Sequence, residues 1–390
     1  MTTSASRHDS HLPQGSDTIS PSSAGTDVLC AVRISDPGTL ISAVPALLGF
    51  HPRRSLVAIC LAGTSVGAVM RHDLLLTTVG PDAEVMELVL DQFAAVAARE
   101  GADQMVVVMV DDRIPSRPQA ADLNRYAGIA DKFREVLRRG GTELVAVHAC
   151  SSIQTGAPWR DLFGAGRGVL PDPTASEVAA AQVLGGRPIR GSREELEAVL
   201  DPVSPHDQVR VADVIDAARE ERARDAALAR AATDDVGTHR RSLERVLSQI
   251  AQLESGDEPT TAECAELALM LETPSVRDSL LALSASEQAD AAEQMWIHLG
   301  RTLPDPERAE PLALLGYSAY IRGDGPMAGV ALCAALSADP GHRMAKLLDD
   351  ALQAGVRPDA LRDLAIVGHQ VARDLGVQLP SVESLPPRGV

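Results

Sequence analysis

The chain has 390 residues, 45% of them hydrophobic and 23% charged, with a formal net charge of −18 and only 2% aromatic residues. That length predicts about two or three domains of roughly 100–200 residues each, with cores built from Ala, Val and Leu. An acidic chain without a basic run lacks the cation density that phosphate backbones and anionic membranes require, so neither a nucleic-acid partner nor a membrane partner is expected.

Five cysteines (Cys30, Cys60, Cys150, Cys264 and Cys333) are scattered singly, with no C-x-x-C pair. This argues against a disulfide framework and a zinc knuckle, and predicts small core residues in a reducing compartment. The N-terminus has no apolar run of signal-peptide type, and no stretch approaches the roughly 18 apolar residues that span a bilayer. A cytoplasmic protein is expected.

In chain order, residues 1–26 are rich in Ser, Thr, Gly and Pro and are expected to form a disordered tail. Val28–Ile34 predicts a strand. Asp36-Pro37 has the form of an N-cap followed by proline at the first helical position. Leu40, Val44, Leu47 and Leu48 then recur at helical spacing up to a stop at Gly49, with a kink or early break expected at Pro45. Ser55–Leu61 and Val66–Met70 predict two strands joined by a hairpin. A helix opens at Pro81-Asp82, with Val85, Val89, Phe93 and Val96 sharing one face. Met105–Val110 is apolar throughout, as in a strand covered on both sides. Ala120–Arg138 predicts a helix and Glu143–His148 the last strand.

The order β-α-β-β-α-β-α-β over residues 27–150 predicts an α/β domain, with a mostly parallel sheet, helices on its faces and one antiparallel hairpin. Residues 151–206 form a connector with short helices near Ser176–Leu184 and Ser192–Leu200. Residues 207–380 predict an all-α domain, with helices over 207–232, 238–254, 260–271, 276–300, 307–322, 326–337, 341–354 and 357–375. A second disordered tail is expected over 381–390. Within the helical part, Leu315-Gly316, Gly323-Asp324, Ala328, Ala335-Leu336 and Asp339-Pro340 fall where a tetratricopeptide repeat places its small and turn residues. A solenoid needs about three such units. One copy is present, so the expectation is a tetratricopeptide-like helical hairpin within a bundle.

Three stretches together carry a resemblance: LISAVPALLGFHPRRSLVAICLAG (residues 40–63), Arg71-His72-Asp73-Leu74, and GDGPMAGVALCAALSADPGHRMAKLLDDAL (residues 323–352). With these the chain resembles the actinobacterial family called domain of unknown function 4192, over most of residues 28–360. The resemblance implies a cytoplasmic bacterial protein of this two-part layout and carries no activity. Members of that family often have cysteines in the stretch matching Trp159–Pro171. This chain has none there, so the resemblance implies no metal or redox role for that segment.

Two glycine motifs have bland readings. Gly63-Thr64-Ser65-Val66-Gly67 matches a nucleophile elbow in letters, but a strand follows it where the elbow needs a helix, so a hairpin turn is expected. Gly164-Ala165-Gly166-Arg167-Gly168 lacks the spacing and the Lys-Ser/Thr of a phosphate loop and predicts a flexible loop.

Topology suggests a site. Open α/β sheets bind ligands beyond the carboxyl ends of their strands. Residues expected there are Ser35 and Asp36; Arg71, His72 and Asp73; Asp111, Asp112 and Arg113; and His148 with Ser151. Converging carboxylates would hold a divalent ion, a His beside a carboxylate would move protons, and the arginines would clamp an anion. Each also has a plainer role: Asp36 as a cap, Asp73 paired with Arg71 or Arg53, and Asp111–Arg113 as a solvated loop. The hairpin would remove Arg71, His72 and Asp73 from the cluster if it turned that strand's end to the opposite edge. His51-Pro52-Arg53-Arg54, at a strand's amino end, is expected to be a structural or partner-binding loop. No pattern assigns a cofactor or metal. The leading expectation is a non-enzymatic binding or regulatory module that meets a protein partner through its helical part. The alternative is a metal-dependent hydrolase or phosphoryl-handling enzyme using Asp36, Asp73, Asp111 and Asp112.

Overall fold

The computed structural model describes residues 36–63, 65–76, 81–184, 188–228 and 235–380. The strand expected over Val28–Ile34, residue Ser35, both expected tails and the end of the helix expected over 207–232 lie outside the described residues.

Helix α1 (Pro37–Leu48) starts where Asp36 accepts the Thr39 N–H at 3.1 Å and stops at left-handed Gly49, φ 73°. Of the kink or early break expected at Pro45, the break does not occur: the helix continues through Pro45, which is buried inside it. Strands β1 (Ser55–Ala62) and β2 (Ser65–Asp73) form the expected hairpin, turning at Gly63 with φ 60°. Helix α2 (Pro81–Glu100), strand β3 (Gln104–Val110), helix α3 (Ala120–Gly140) and strand β4 (Glu143–Cys150) follow. The buried face of α2 is Met86, Val89, Leu90, Phe93 and Ala97, whereas Val85, expected inward, is 41% exposed.

The sheet is mixed, which corrects the expectation of a mostly parallel one. Strand order is β2-β1-β3-β4-β5-β6, and β3–β4 is the parallel pair among the described strands. The tight hairpin keeps β1 beside β2, and β3 pairs with the other edge of β1. The β2–α2–β3 crossover therefore steps over an antiparallel strand. Strands β2, β3 and β4 still point the same way, so their carboxyl ends share one sheet edge with the amino end of β1.

The last two strands, β5 (Pro158–Asp161) and β6 (Arg167–Val169), lie in the stretch expected to be an irregular connector. Of the Gly164–Gly168 segment, Gly164–Gly166 lies in their turn and Arg167 and Gly168 in β6, so it is not a free loop. Gly168 is required there, because a Cβ would sit 2.8 Å from Trp159 Nε1.

Side chains alternate across the sheet. Leu56, Ala58, Met105, Val107, Met109 and Val147 pack under α2 and α3. Val57, Ile59, Val108, Val110 and Cys150 pack under α1. That second core continues without interruption into the helical half.

The connector carries α4 (Glu177–Leu184) and α5 (Arg193–Glu197), the latter capped by Ser192. The helical half is α6 (Pro205–Leu228), α7 (Asp235–Glu254), α8 (Thr261–Leu271), α9 (Pro274–Leu280), α10 (Ala289–Thr302), α11 (Ala309–Ile321), α12 (Gly325–Ala338), α13 (Arg343–Gln353) and α14 (Arg362–Asp374). The single helix expected over 276–300 is split. Ser286 Oγ donates to Leu283 O at 2.9 Å and accepts the Gln288 N–H at 3.2 Å. Such local bonds give the backbone an alternative to the helical ladder. Among the described residues no helix is long and apolar enough to cross a membrane.

Of the cysteines, Cys60, Cys150 and Cys264 are buried, and burial pushes each thiol up to about 12. Cys333 is exposed, against the expectation of a core residue, and Cys30 lies outside the described residues.

Candidate functional site

The shared sheet edge gathers many of the expected residues. The hairpin does not carry Arg71, His72 and Asp73 away, because β2 ends on the same side as β3 and β4. All three lie within β2 rather than past its end. Arg71 is nearly buried, at 12% exposure, and is fixed from three sides. It donates to Ser55 Oγ at 2.9 Å, pairs with Asp73 at 2.6 Å and stacks on Phe50. Burial lowers its pKa, against the pull of Asp73. His72 Nδ1 lies 2.9 Å from the Asp73 carbonyl and must carry the proton there, because a carbonyl only accepts.

Asp111 is fully buried. It accepts from the Arg113 N–H at 3.0 Å, from Arg113 Nε at 2.8 Å and from the Tyr126 hydroxyl at 2.9 Å. Burial, then this bond, raises the Tyr126 pKa. Asp111 is thus part of a framework that pins the β3–α3 loop, while Asp112 and Arg113 are exposed, as a solvated loop would have them. Asp112 points outward and is clamped by Arg54 Nε at 2.8 Å and Arg53 Nη2 at 3.2 Å, which hold its carboxyl below the usual range. Arg53 and Arg54 therefore join the edge. The amino end of β1 lies there because β1 runs opposite to its neighbours. Arg54 adopts φ 44°, the left-handed region that a non-glycine residue rarely enters.

Asp36 and His148 are elsewhere. Asp36 caps α1 near Trp159 and Pro171, and the Thr39 hydroxyl is the main cause of its lowered pKa. His148 sits inside β4, 3% exposed, edge-on to Trp159 with ring centroids 5.1 Å apart, and its Nδ1 has no partner among the described residues. Ser151 follows β4. The four carboxylates expected for a metal-dependent enzyme thus have separate partners: Thr39, Arg71, Arg113 with Tyr126, and Arg53 with Arg54. Among the described residues no group of three His, Cys, Asp or Glu has metal-holding geometry.

A different feature lies where the two halves meet. Arg190 donates its N–H to Gly49 O at 2.8 Å and accepts the His51 N–H at 3.0 Å, tying the connector to the end of α1. Arg308 Nη2 donates to Leu200 O at 3.0 Å and ties the connector to α11. Beside the Arg190 tie lies a crevice of about 310 Å³, walled by Leu47, Leu196, Val199, Ile297, Leu315 and Met327. Among the described residues its charged lining is Arg190, Glu293, Arg322 and Asp324. Arg322 contacts Glu293 through Nη1, and its Nη2 lies 3.5 Å from Asp324. Asp324 also caps α12 by accepting the Met327 N–H at 3.1 Å. A second cleft of about 300 Å³, beside Arg308 and Cys333, is more open to solvent.

The crevice residues come from three separate stretches of chain, 46–49, 182–199 and 293–327. Leu47, Gly49, Leu315 and the Gly323-Asp324 turn carry local helix or turn signals, but none of these points to a shared hollow.

The chain matches the family described as "Domain of unknown function (DUF4192)" over residues 37–359. No curated protein and no solved structure matches it.

Proposed function

The chain belongs to that family, whose description carries no activity, and from this premise we propose that it is a non-enzymatic binding and regulatory module that takes a small ligand in the crevice between its α/β layer and its helical half. The observation that carries the reading is the crevice itself: an apolar hollow with a few charged groups at a junction, the usual form of a small-molecule site. A ligand there would touch α1, the connector and the α10–α12 corner together, and so would couple the two halves. The helical half, with its α11–α12 hairpin taken as a tetratricopeptide-like unit, would meet a protein partner. Leu347, Ile366 and Val367, each more than half exposed on α13 and α14, are the apolar side chains it would offer.

The test is thermal unfolding against panels of small metabolites, nucleotides and divalent ions, because a ligand of the native state at 100 times its Kd adds about 2.7 kcal/mol. The expected result is a shift with a small organic ligand that Met327→Trp abolishes by filling the crevice, and that Asp73→Asn leaves intact. A shift with a divalent ion, lost in Asp73→Asn or Asp112→Asn and kept in Met327→Trp, would move the assignment to the metal-dependent alternative.

A further inference from the structure

Resting on the crevice as the ligand site, we propose that its occupant is a small zwitterion with an aliphatic body, of which an aliphatic α-amino acid is the simplest case. The crevice charges do not cancel locally. At the turn between α11 and α12, the guanidinium of Arg322 lies between two carboxylates, Glu293 and Asp324, so among the described lining residues this corner holds one more carboxylate than cations. These side chains are only 23%, 14% and 20% exposed, so the excess charge is partly withdrawn from water. On the connector wall, Arg190 has no carboxylate partner among the described residues, which leaves one positive charge in excess. Partly buried charge is costly unless paired. A ligand bearing an ammonium and a carboxylate answers both excesses. A simple cation or a simple anion answers one and leaves the other.

Both charged groups have fixed roots. Arg190 is held by backbone hydrogen bonds on each side, at 2.8 and 3.0 Å. Asp324 is held by the cap it makes on α12. Fixed roots reduce the ordering cost of binding. Size narrows the class further. At about 310 Å³ the crevice lies at the small end of ligand sites, which run from about 300 to 1,000 Å³, and so suits a small ligand. Leu196, Val199, Ile297, Leu315 and Met327 offer a branched aliphatic chain an apolar wall.

Calorimetric titration of the full chain with L-leucine, with 4-methylpentanoate (leucine without its ammonium) and with 3-methylbutylamine (leucine without its carboxylate) tests this. Leucine is expected to bind, and each fragment to bind at least about tenfold more weakly, because each loses one set of charge-assisted hydrogen bonds. Arg190→Gln should reduce leucine to the level of the amine. Asp324→Asn keeps a capping side chain and should reduce leucine towards the level of the acid. Unchanged melting temperatures of the free variants would separate these effects from misfolding. If a fragment binds as tightly as leucine, and Met327→Trp abolishes that binding, the zwitterion is overturned while the crevice stands as a ligand site. If none of the three binds, the zwitterion is also overturned, and the wider ligand panel against Met327→Trp judges the crevice by itself.

Discussion

Asp111 is fully buried, and Arg113 and Tyr126 occupy both of its oxygens. A carboxylate held this way organises a loop and has little left to offer a substrate. His148 is the reverse case: a buried ring against Trp159 whose Nδ1 has no partner among the described residues. Burial lowers its pKa, and the Asp161 charge opposes this only in part. The unfolded chain takes up that proton near pH 6.5 while the folded chain resists it. Below that pH the unfolded state binds more protons, so stability is present above about 6.5 and is lost as pH falls towards the folded value. His298 is shifted the same way by burial. Asp36, Asp112 and Glu263 are all lowered, Glu263 to about 2, and contribute only in more acid solution. The melting temperature should therefore be level from pH 8 to 7 and fall from 6.5 to 5, with a shallower fall in His148→Leu. Identical slopes in the two proteins would show that His148 does not contribute.

At the scale of elements, the helical half depends on small residues where helices touch. A Cβ on Gly368 of α14 would lie 2.6 Å from the Asp278 carbonyl oxygen and 2.9 Å from the Ala282 nitrogen. A Cβ on Gly316 of α11 would lie 2.7 Å from Leu332 Cδ2 and Cγ. Overpacking costs about 1–3 kcal/mol, against a gain in helix propensity of about 1 kcal/mol for alanine over glycine. Backbone cannot move aside as a leucine side chain can. Urea unfolding should therefore rank Gly368→Ala as the more destabilised and Gly316→Ala as the milder. The opposite order would mean that α14 is free to shift on α9. Gly168 follows the same logic in the sheet, where its missing side chain lets β6 close over Trp159.

At the scale of the whole molecule, one apolar core runs from Val57 and Ile59 of the sheet, through α1, Leu196 and Leu200, to Met295, Leu315 and Leu332. Arg357 also reaches back to Glu100 of α2 at 3.1 Å, and Gln92 bonds to the Gln353 carbonyl at 3.1 Å. Layers that share a core unfold together. Scanning calorimetry should show one transition whose calorimetric and van't Hoff enthalpies agree. Two resolved transitions would mean that the junction is weak, and a crevice built on it would then be a poor place to couple the two halves.

Periodicity and punctuation residues determined much of the architecture on their own, because those signals act within one turn or one strand. The Asp36-Pro37 start of α1, the β1–β2 hairpin, the buried β3 run and the division into an α/β part and a helical part are legible in this way. Strand neighbours are not, because chain order records connections and not pairings. Only the folded sheet shows β1 inserted between β2 and β3, and β5 and β6 added from the connector. The candidate site divides along the same line. Asp36 is legible as a cap from its local pattern, but the plain reading of Asp111–Arg113 as a solvated loop holds only for Asp112 and Arg113 and fails for Asp111. Asp111 is desolvated only when Tyr126, 15 positions away, closes over it. The crevice could not be read at all, because its opposed charges, Arg190 and the Glu293–Arg322–Asp324 corner, belong to three separate stretches of chain. What brings them together is the burial of apolar side chains on α1, the connector and α10–α12, a force without sequence direction that acts only through tertiary packing.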